Sequence, residues 1–160
     1  MTGRFGVTEF SAASDLEVVM TRAFAAPRAL VFDMWTSPEH LPRWMGPAEW
    51  TMTICEIDLR PGGAFRYHWR RADGAEMGIS GVYHEVTPPE RVVSSESWDG
   101  WSGTLNTLVL AQEPDGATTV TLTMRFPSQQ ARDAALATRM REGSSEGFDR
   151  LDALLAAHAR

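Results

Sequence analysis

The run Val92-Val93-Ser94-Ser95-Glu96-Ser97-Trp98 has strand character, and alternation puts Ser94, Glu96 and Trp98 on one face. If that face is interior, Glu96 must be paired, or neutral with a raised pKa, because an unpaired buried charge is costly. A carboxyl inside an apolar pocket can anchor a polar group or act as general acid or base. On an exposed edge strand it would be an ordinary solvated glutamate, and composition does not choose between the two. Tyr83 lies in GVYHEV with Gly81 and Glu85 on its face. Its phenol could orient a ligand carbonyl, or it could be an amphipathic rim residue. In AFRYHWRR, Phe65, Tyr67 and Trp69 share one face, and Arg66, His68 and Arg70 share the other. Three aromatics on one strand face must be buried, as plain core or as an aromatic pocket wall. The candidates for proton transfer are therefore Glu96, Tyr83 and His68.

Other chemistries are excluded or disfavoured. All 15 basic residues are Arg, so Schiff-base chemistry on a lysine and a Walker-type phosphate lysine are ruled out. His40, His68, His84 and His158 show no HxxxH or HxH spacing, so no metal is expected. Neither GxSxG, GxGxxG nor GxxxxGK[ST] occurs, and no cofactor is expected. Cys55, the one cysteine, can form no intrachain disulfide and reads as an inert small hydrophobe. A net charge of −6 argues against nucleic acid or an anionic membrane surface as partner. No apolar run is long enough to span a bilayer, and no h-region marks a signal peptide. The expected address is the cytoplasm, without membrane insertion.

The elements that must position these residues follow from periodicity and punctuation. The 160 residues make one domain by length. Residues 1–13 are small, polar and aperiodic, which predicts a flexible tail ahead of a single domain over 14–160. LEVVMTRAF predicts a first strand. Pro27 opens a short helix with Leu30, Val31, Met34 and Trp35 at helical spacing, and Ser37-Pro38 opens a second with Leu41, Trp44 and Met45 on one face. Pro61-Gly62-Gly63, Asp73-Gly74, Pro88-Pro89, Asp99-Gly100 and Pro114-Asp115-Gly116 then separate strand-like runs at about 50–59, 64–71, 76–86, 91–98, 103–112 and 117–126. Short connections imply antiparallel neighbours. Ser128 is the expected N-cap of a long last helix, with Leu136, Met140, Phe148, Leu151, Leu154 and Leu155 on one face. The expectation is an α+β helix-grip fold. A curved seven-stranded antiparallel sheet, two short helices after the first strand and a long C-terminal helix enclose an internal cavity.

The stretches APRALVFDMWTSPEHLPRWMGP, DLRPGGAFRY, GVYHEVTPPERVV and EGSSEGFDRLDALLA, in that order, resemble the Hsp90-ATPase-activator-homologue branch of the START/Bet v 1-like (SRPBCC) superfamily. The likeness covers about residues 15–157. It implies a helix-grip fold with a deep cavity, and a family in which fold does not fix activity. Relatives include lipid and hormone carriers, aromatic polyketide cyclases, co-chaperone domains and antibiotic-sequestering resistance proteins. In such a fold the two short helices close one end of the cavity, which brings in Trp35 and Trp44. Trp98 adds stacking surface. Gly143 and Gly147 share one face of the last helix and cost roughly 1 kcal/mol each against Ala. Either close backbone packing or clearance for a ligand would explain them. Gly143 matches a family position, Phe148 falls where relatives carry Trp or Leu, and Met140 is an adaptable gap-filler.

These readings define a ligand-binding set of Trp35, Trp44, Phe65, Tyr67, Trp69, Tyr83, Glu96, Trp98, Met140, Gly143 and Phe148. The leading functional expectation is a carrier or sequestering protein that holds an apolar, aromatic or polycyclic small molecule. A cyclase or dehydratase using Glu96 and Tyr83 as acid and base is the second. A chaperone-interaction domain is the third. For oligomeric state the branch points to a homodimer, though no coiled-coil seam marks an interface.

Overall fold

The computed structural model describes residues 5–98 and 101–158. The Asp99-Gly100 turn and the Trp101 side chain lie outside the described residues. Eight strands form one antiparallel sheet: β1 (Glu9–Ser14), β2 (Glu17–Phe24), β3 (Trp50–Ile57), β4 (Ala64–Arg71), β5 (Glu76–Thr87), β6 (Arg91–Trp98), β7 (Trp101–Gln112) and β8 (Thr118–Arg125). Their order in the sheet is β1-β2-β8-β7-β6-β5-β4-β3. Strands β3 to β8 form a meander of consecutive neighbours. The β1–β2 hairpin joins it beside the last strand.

Eight strands replace the seven expected. The added one, β1, falls in the segment read as a tail. EFSAAS is five-sixths exposed or small, so no alternation betrays it, and it is held as an edge by pairing with β2. Phe5 extends this contact through a bridge to Ala23. Between β2 and β3 come α1 (Arg28–Thr36) and a single 3-10 turn at Leu41–Arg43. The C-terminal segment is two helices rather than one: α2 (Gln129–Leu136) and α3 (Met140–His158). Ser128 caps α2 as expected, its side chain accepting from the Ala131 amide at 3.1 Å. The last turn of α2 tightens at Thr138, whose amide and hydroxyl both donate to the Ala135 carbonyl, and this ends the first helix.

Helix α3 buries Phe148, Leu151 and Leu155 against the inward face of the sheet. That face carries Val18, Met20 and Phe24 of β2, Phe65, Tyr67 and Trp69 of β4, and Leu108 and Leu110 of β7. A part-buried ion-pair cluster, a buried arginine with two part-exposed carboxylates, ties helix to sheet. Arg22 alternates with Met20 and Phe24 and is only 3% exposed. Its guanidinium donates to Asp149 at 2.8 Å, Asp152 at 2.5 Å and Thr8 Oγ1 at 3.0 Å. Asp149 and Asp152 are one helical turn apart, so both reach it. From the same stretch of α3, Arg150 donates to the carbonyls of Trp44 and Gly46, and Glu146 accepts from the Ala48 amide. The helix therefore grips the 44–48 loop by its polar side and the sheet by its apolar side.

Candidate functional site

The inward face of the sheet resolves into cross-strand rows. One runs Cys55–Tyr67–Ile79–Trp98, the next Ile57–Phe65–Gly81–Glu96–Thr104, and the next Tyr83–Ser94–Asn106–Met124. Phe65 lies over Gly81, where an added Cβ would come within 2.4 Å of its ring. That glycine is what lets the ring lie flat on the sheet. Phe65 then meets Tyr67 at 5.2 Å and Tyr83 at 5.1 Å between centroids, and Tyr67 meets Trp69 at 6.0 Å. A second cluster closes the helix end. Trp35 contacts Trp44 at 4.7 Å, Phe148 at 5.6 Å and Phe24 at 6.2 Å. The indoles are pinned: Trp44 Nε1 donates to the Met34 carbonyl and Trp69 Nε1 to the Met45 carbonyl.

Polar groups converge within the sheet cluster. Glu96 is 8% exposed, and burial pushes its carboxyl up to about 7, with the Trp98 indole drawing it partly back. Asn106 Nδ2 donates to Glu96 Oε1. Glu96 Oε2 and Asn106 Oδ1 are both buried and have no hydrogen-bond partner. The phenols of Tyr67 and Tyr83 hydrogen bond to each other. Burial raises both, Tyr67 well above the usual phenol range and Tyr83 to about 12, and the Glu96 charge adds slightly to Tyr67. Cys55 stands beside them with its thiol raised by burial to about 11, so it is held as the unreactive thiol. The site thus contains one carboxyl that can exchange a proton near neutrality, and two phenols that remain protonated.

The structure brings together Phe65, Tyr67, Trp69, Tyr83 and Glu96 on the sheet, with Trp35, Trp44 and Phe148 at the helix end. Other residues of the expected set fall elsewhere. His68 points from the opposite face of β4, within 3.1 Å of Thr53 Oγ1 and 3.4 Å from Glu76, so it cannot reach Glu96. Alternation had already put it opposite the aromatics. Trp98 is at the rim, 37% exposed. Met140 begins α3, half-buried against the core. Gly143 is buried against Pro47, whose Cγ would lie 3.3 Å from an added Cβ, and Gly147 against the Trp44 carbonyl at 2.9 Å. Close packing of α3 on the 44–47 loop therefore accounts for both glycines. Three participants escaped sequence reading: Asn106, Phe24 and Arg22. A signal existed for the last, since Arg22 is the one polar side chain among Val18, Met20 and Phe24 on the inward face of β2.

Between sheet and α3 the aromatic rings touch one another. Two recesses, of about 520 and 210 Å³, open along strands β4 to β6. The larger is lined by Ala64, Arg66, Ser80, Val82, Ser95 and Ser97 of the outer face together with Phe65, Gly81 and Glu96 of the candidate site. Among the described residues no group of three or more His, Cys, Asp or Glu could hold a metal, and no helix is long and apolar enough to cross a membrane.

An eight-stranded antiparallel sheet gripped by a C-terminal helix over an aromatic, carboxyl-bearing interior defines a START/Bet v 1-like domain. Residues 25–156 match the family of activator of Hsp90 ATPase homolog 1-like proteins, and the chain belongs to that family. A Rhodobacter sphaeroides protein of solved structure is 30% identical, covers 94% of this chain and 99% of its own, and superposes with a TM-score of 0.86. A Mycobacterium smegmatis protein is 26% identical over 93% of this chain and 96% of its own, with a TM-score of 0.82. A Nitrosomonas europaea protein is 25% identical over 91% and 97%, with a TM-score of 0.81. No curated protein matches the chain.

Proposed function

We propose that this protein binds an apolar, aromatic small molecule between its sheet and α3, as a carrier or sequestering protein. The observation that carries the reading is the convergence of a buried carboxyl and two phenols on an interior walled by aromatic rings. Ligand sites in general combine a large apolar lining with a few fixed polar groups. Because the rings touch one another in this state, the ligand takes their place by parting α3 and the 44–47 loop from the sheet. Binding then exchanges ring–ring contacts for ring–ligand contacts of the same kind.

The test is tryptophan fluorescence during titration with polycyclic and acyl compounds, with thermal shift in parallel. Saturable quenching is expected, with a rise in melting temperature that grows with ligand concentration, since a native-state ligand stabilises by RT ln(1 + [L]/Kd). Silence across a broad panel would sink the reading. Attention would then move to the outer face, where Val82 and Leu105 are exposed beside the larger recess and a protein partner of the kind named by the family could dock.

One observation favours an enzymatic version. A carboxyl poised at about 7 is matched to proton transfer at neutral pH. In a cyclase or dehydratase, Glu96 would carry the proton and Tyr83 would orient the substrate carbonyl. Turnover of a bound hit, with a rate that falls on Glu96→Gln while binding persists, separates this version from a carrier.

A further inference from the structure

Resting on the reading above, the geometry points to the ligand's polar end: we infer that the interior takes an aromatic molecule bearing a hydrogen-bond donor, an amino group above all, seated between Glu96 Oε2 and Asn106 Oδ1. These two atoms are buried and unpartnered. Both belong to the inward face, on adjacent strands. Glu96 pairs with Thr104 and Ser94 with Asn106, so the two side chains are diagonal neighbours and already joined through Asn106 Nδ2 and Glu96 Oε1. That bond uses one oxygen of the carboxyl and one N–H of the amide, and leaves Glu96 Oε2 and Asn106 Oδ1 without partners. Above about pH 7, where Glu96 is ionised, what is left over is acceptor capacity on each partner.

Leaving buried acceptors unmatched is costly, so the site is tuned for whatever fills them. An amino group supplies two N–H donors from a single atom and can serve both oxygens at once. A carboxylate or carbonyl supplies none and would face two acceptors of like polarity. The one neighbouring donor that reaches the carboxyl, the Trp98 indole, still leaves Glu96 Oε2 without a partner. The Tyr67 and Tyr83 phenols hydrogen bond to each other, and neither donates to the two orphaned oxygens. The guanidinium of Arg22 gives its terminal nitrogens to Thr8, Asp149 and Asp152, and its unpartnered Nε does not reach the two orphaned oxygens. The aromatic part of the ligand would lie against Phe65 and Tyr83, whose rings meet beside Glu96. The row of serines on the outer face has no such orphaned groups and is not the site.

The experiment compares four naphthalene probes that differ only at position 2: amino, hydroxyl, methyl and carboxylate. Dissociation constants are measured above pH 7, where Glu96 is ionised, for the native chain and for Glu96→Gln and Asn106→Leu. The amino probe should bind at least ~10-fold more tightly than the methyl probe, as two hydrogen bonds to a charged or buried acceptor imply. The hydroxyl probe should fall between them, and the carboxylate should be weakest. In both variants the amino-over-methyl advantage should shrink to within about threefold, while the methyl probe keeps its affinity. If none of the four binds, the interior-binding reading has failed and this inference fails with it. If all bind alike, or the carboxylate binds best, the interior is a ligand site but the inference is wrong. In that case a proton on Glu96 Oε2 already serves Asn106 Oδ1, and the pair is closed to the ligand.

Discussion

A carboxyl that keeps its proton near neutrality links the stability of this fold to pH. Unfolded, Glu96 titrates near 4.5; folded, near 7, because burial disfavours its charge. Below pH 4.5 both states are protonated and the group costs nothing. Between those values the unfolded chain loses the proton first, so stability falls as pH rises, and above about 7 the full penalty of about 3 kcal/mol is present. Glu96→Gln removes the titration. Its urea midpoint at pH 8 should exceed that of the native chain by the equivalent of about 2 kcal/mol, and the two should converge towards pH 5. A difference that did not depend on pH would mean that Glu96 is solvated. At this scale the sequence was partly legible. Period-two alternation was enough to bury Phe65, Tyr67 and Trp69 together and to set His68 against them. It also placed Glu96 with Ser94 and Trp98, but could not say which face was interior. Asn106 was invisible as a partner because its contact is diagonal across strands, and that register is set by the β6–β7 hairpin rather than by either strand alone.

Among the elements, α3 is the one whose sequence looks wrong for its conformation. Its two glycines make opposite predictions. At Gly147 an added methyl would stand 2.9 Å from the Trp44 backbone carbonyl, so Gly147→Ala must push the loop away and should destabilise by about 1–3 kcal/mol despite better helix propensity. At Gly143 the neighbour is the edge of the Pro47 ring at 3.3 Å. A few tenths of an ångström of ring pucker suffices, and Gly143→Ala should be neutral or stabilising by up to about 1 kcal/mol. Thermal denaturation of the pair decides it; equal effects would contradict the packing explanation. The Arg22 latch gives a second contrast. Arg22→Met keeps the volume and removes the charge, whereas Asp149→Asn with Asp152→Asn strands a buried guanidinium. The double variant should cost the more, about 3 kcal/mol. The elements themselves were mostly readable, because turn residues bracket each strand. Two were not. β1 has no apolar face to announce it, and the break between α2 and α3 has no Gly or Pro, since it comes from Thr138 bonding back to Ala135.

On the scale of the whole molecule, ligand access and stability oppose each other through the same contacts. Arg150 holds the 44–46 carbonyls against α3. Arg150→Ala should lower stability by about 1–2 kcal/mol and quicken association of any interior probe, as stopped-flow quenching would show. An unchanged association rate would place the route elsewhere. The strand order carries a different consequence, one about synthesis. Strand β2, made among the first, has its full-length partner in β8, made about a hundred residues later. The intervening meander pairs neighbour to neighbour and can assemble as it emerges, but β2 must wait with Val18, Met20 and Phe24 unsheltered until the sheet is almost complete. During that interval the nascent chain presents its stickiest strand to the cell, and a ribosome stalled before β8 would release a chain that cannot close.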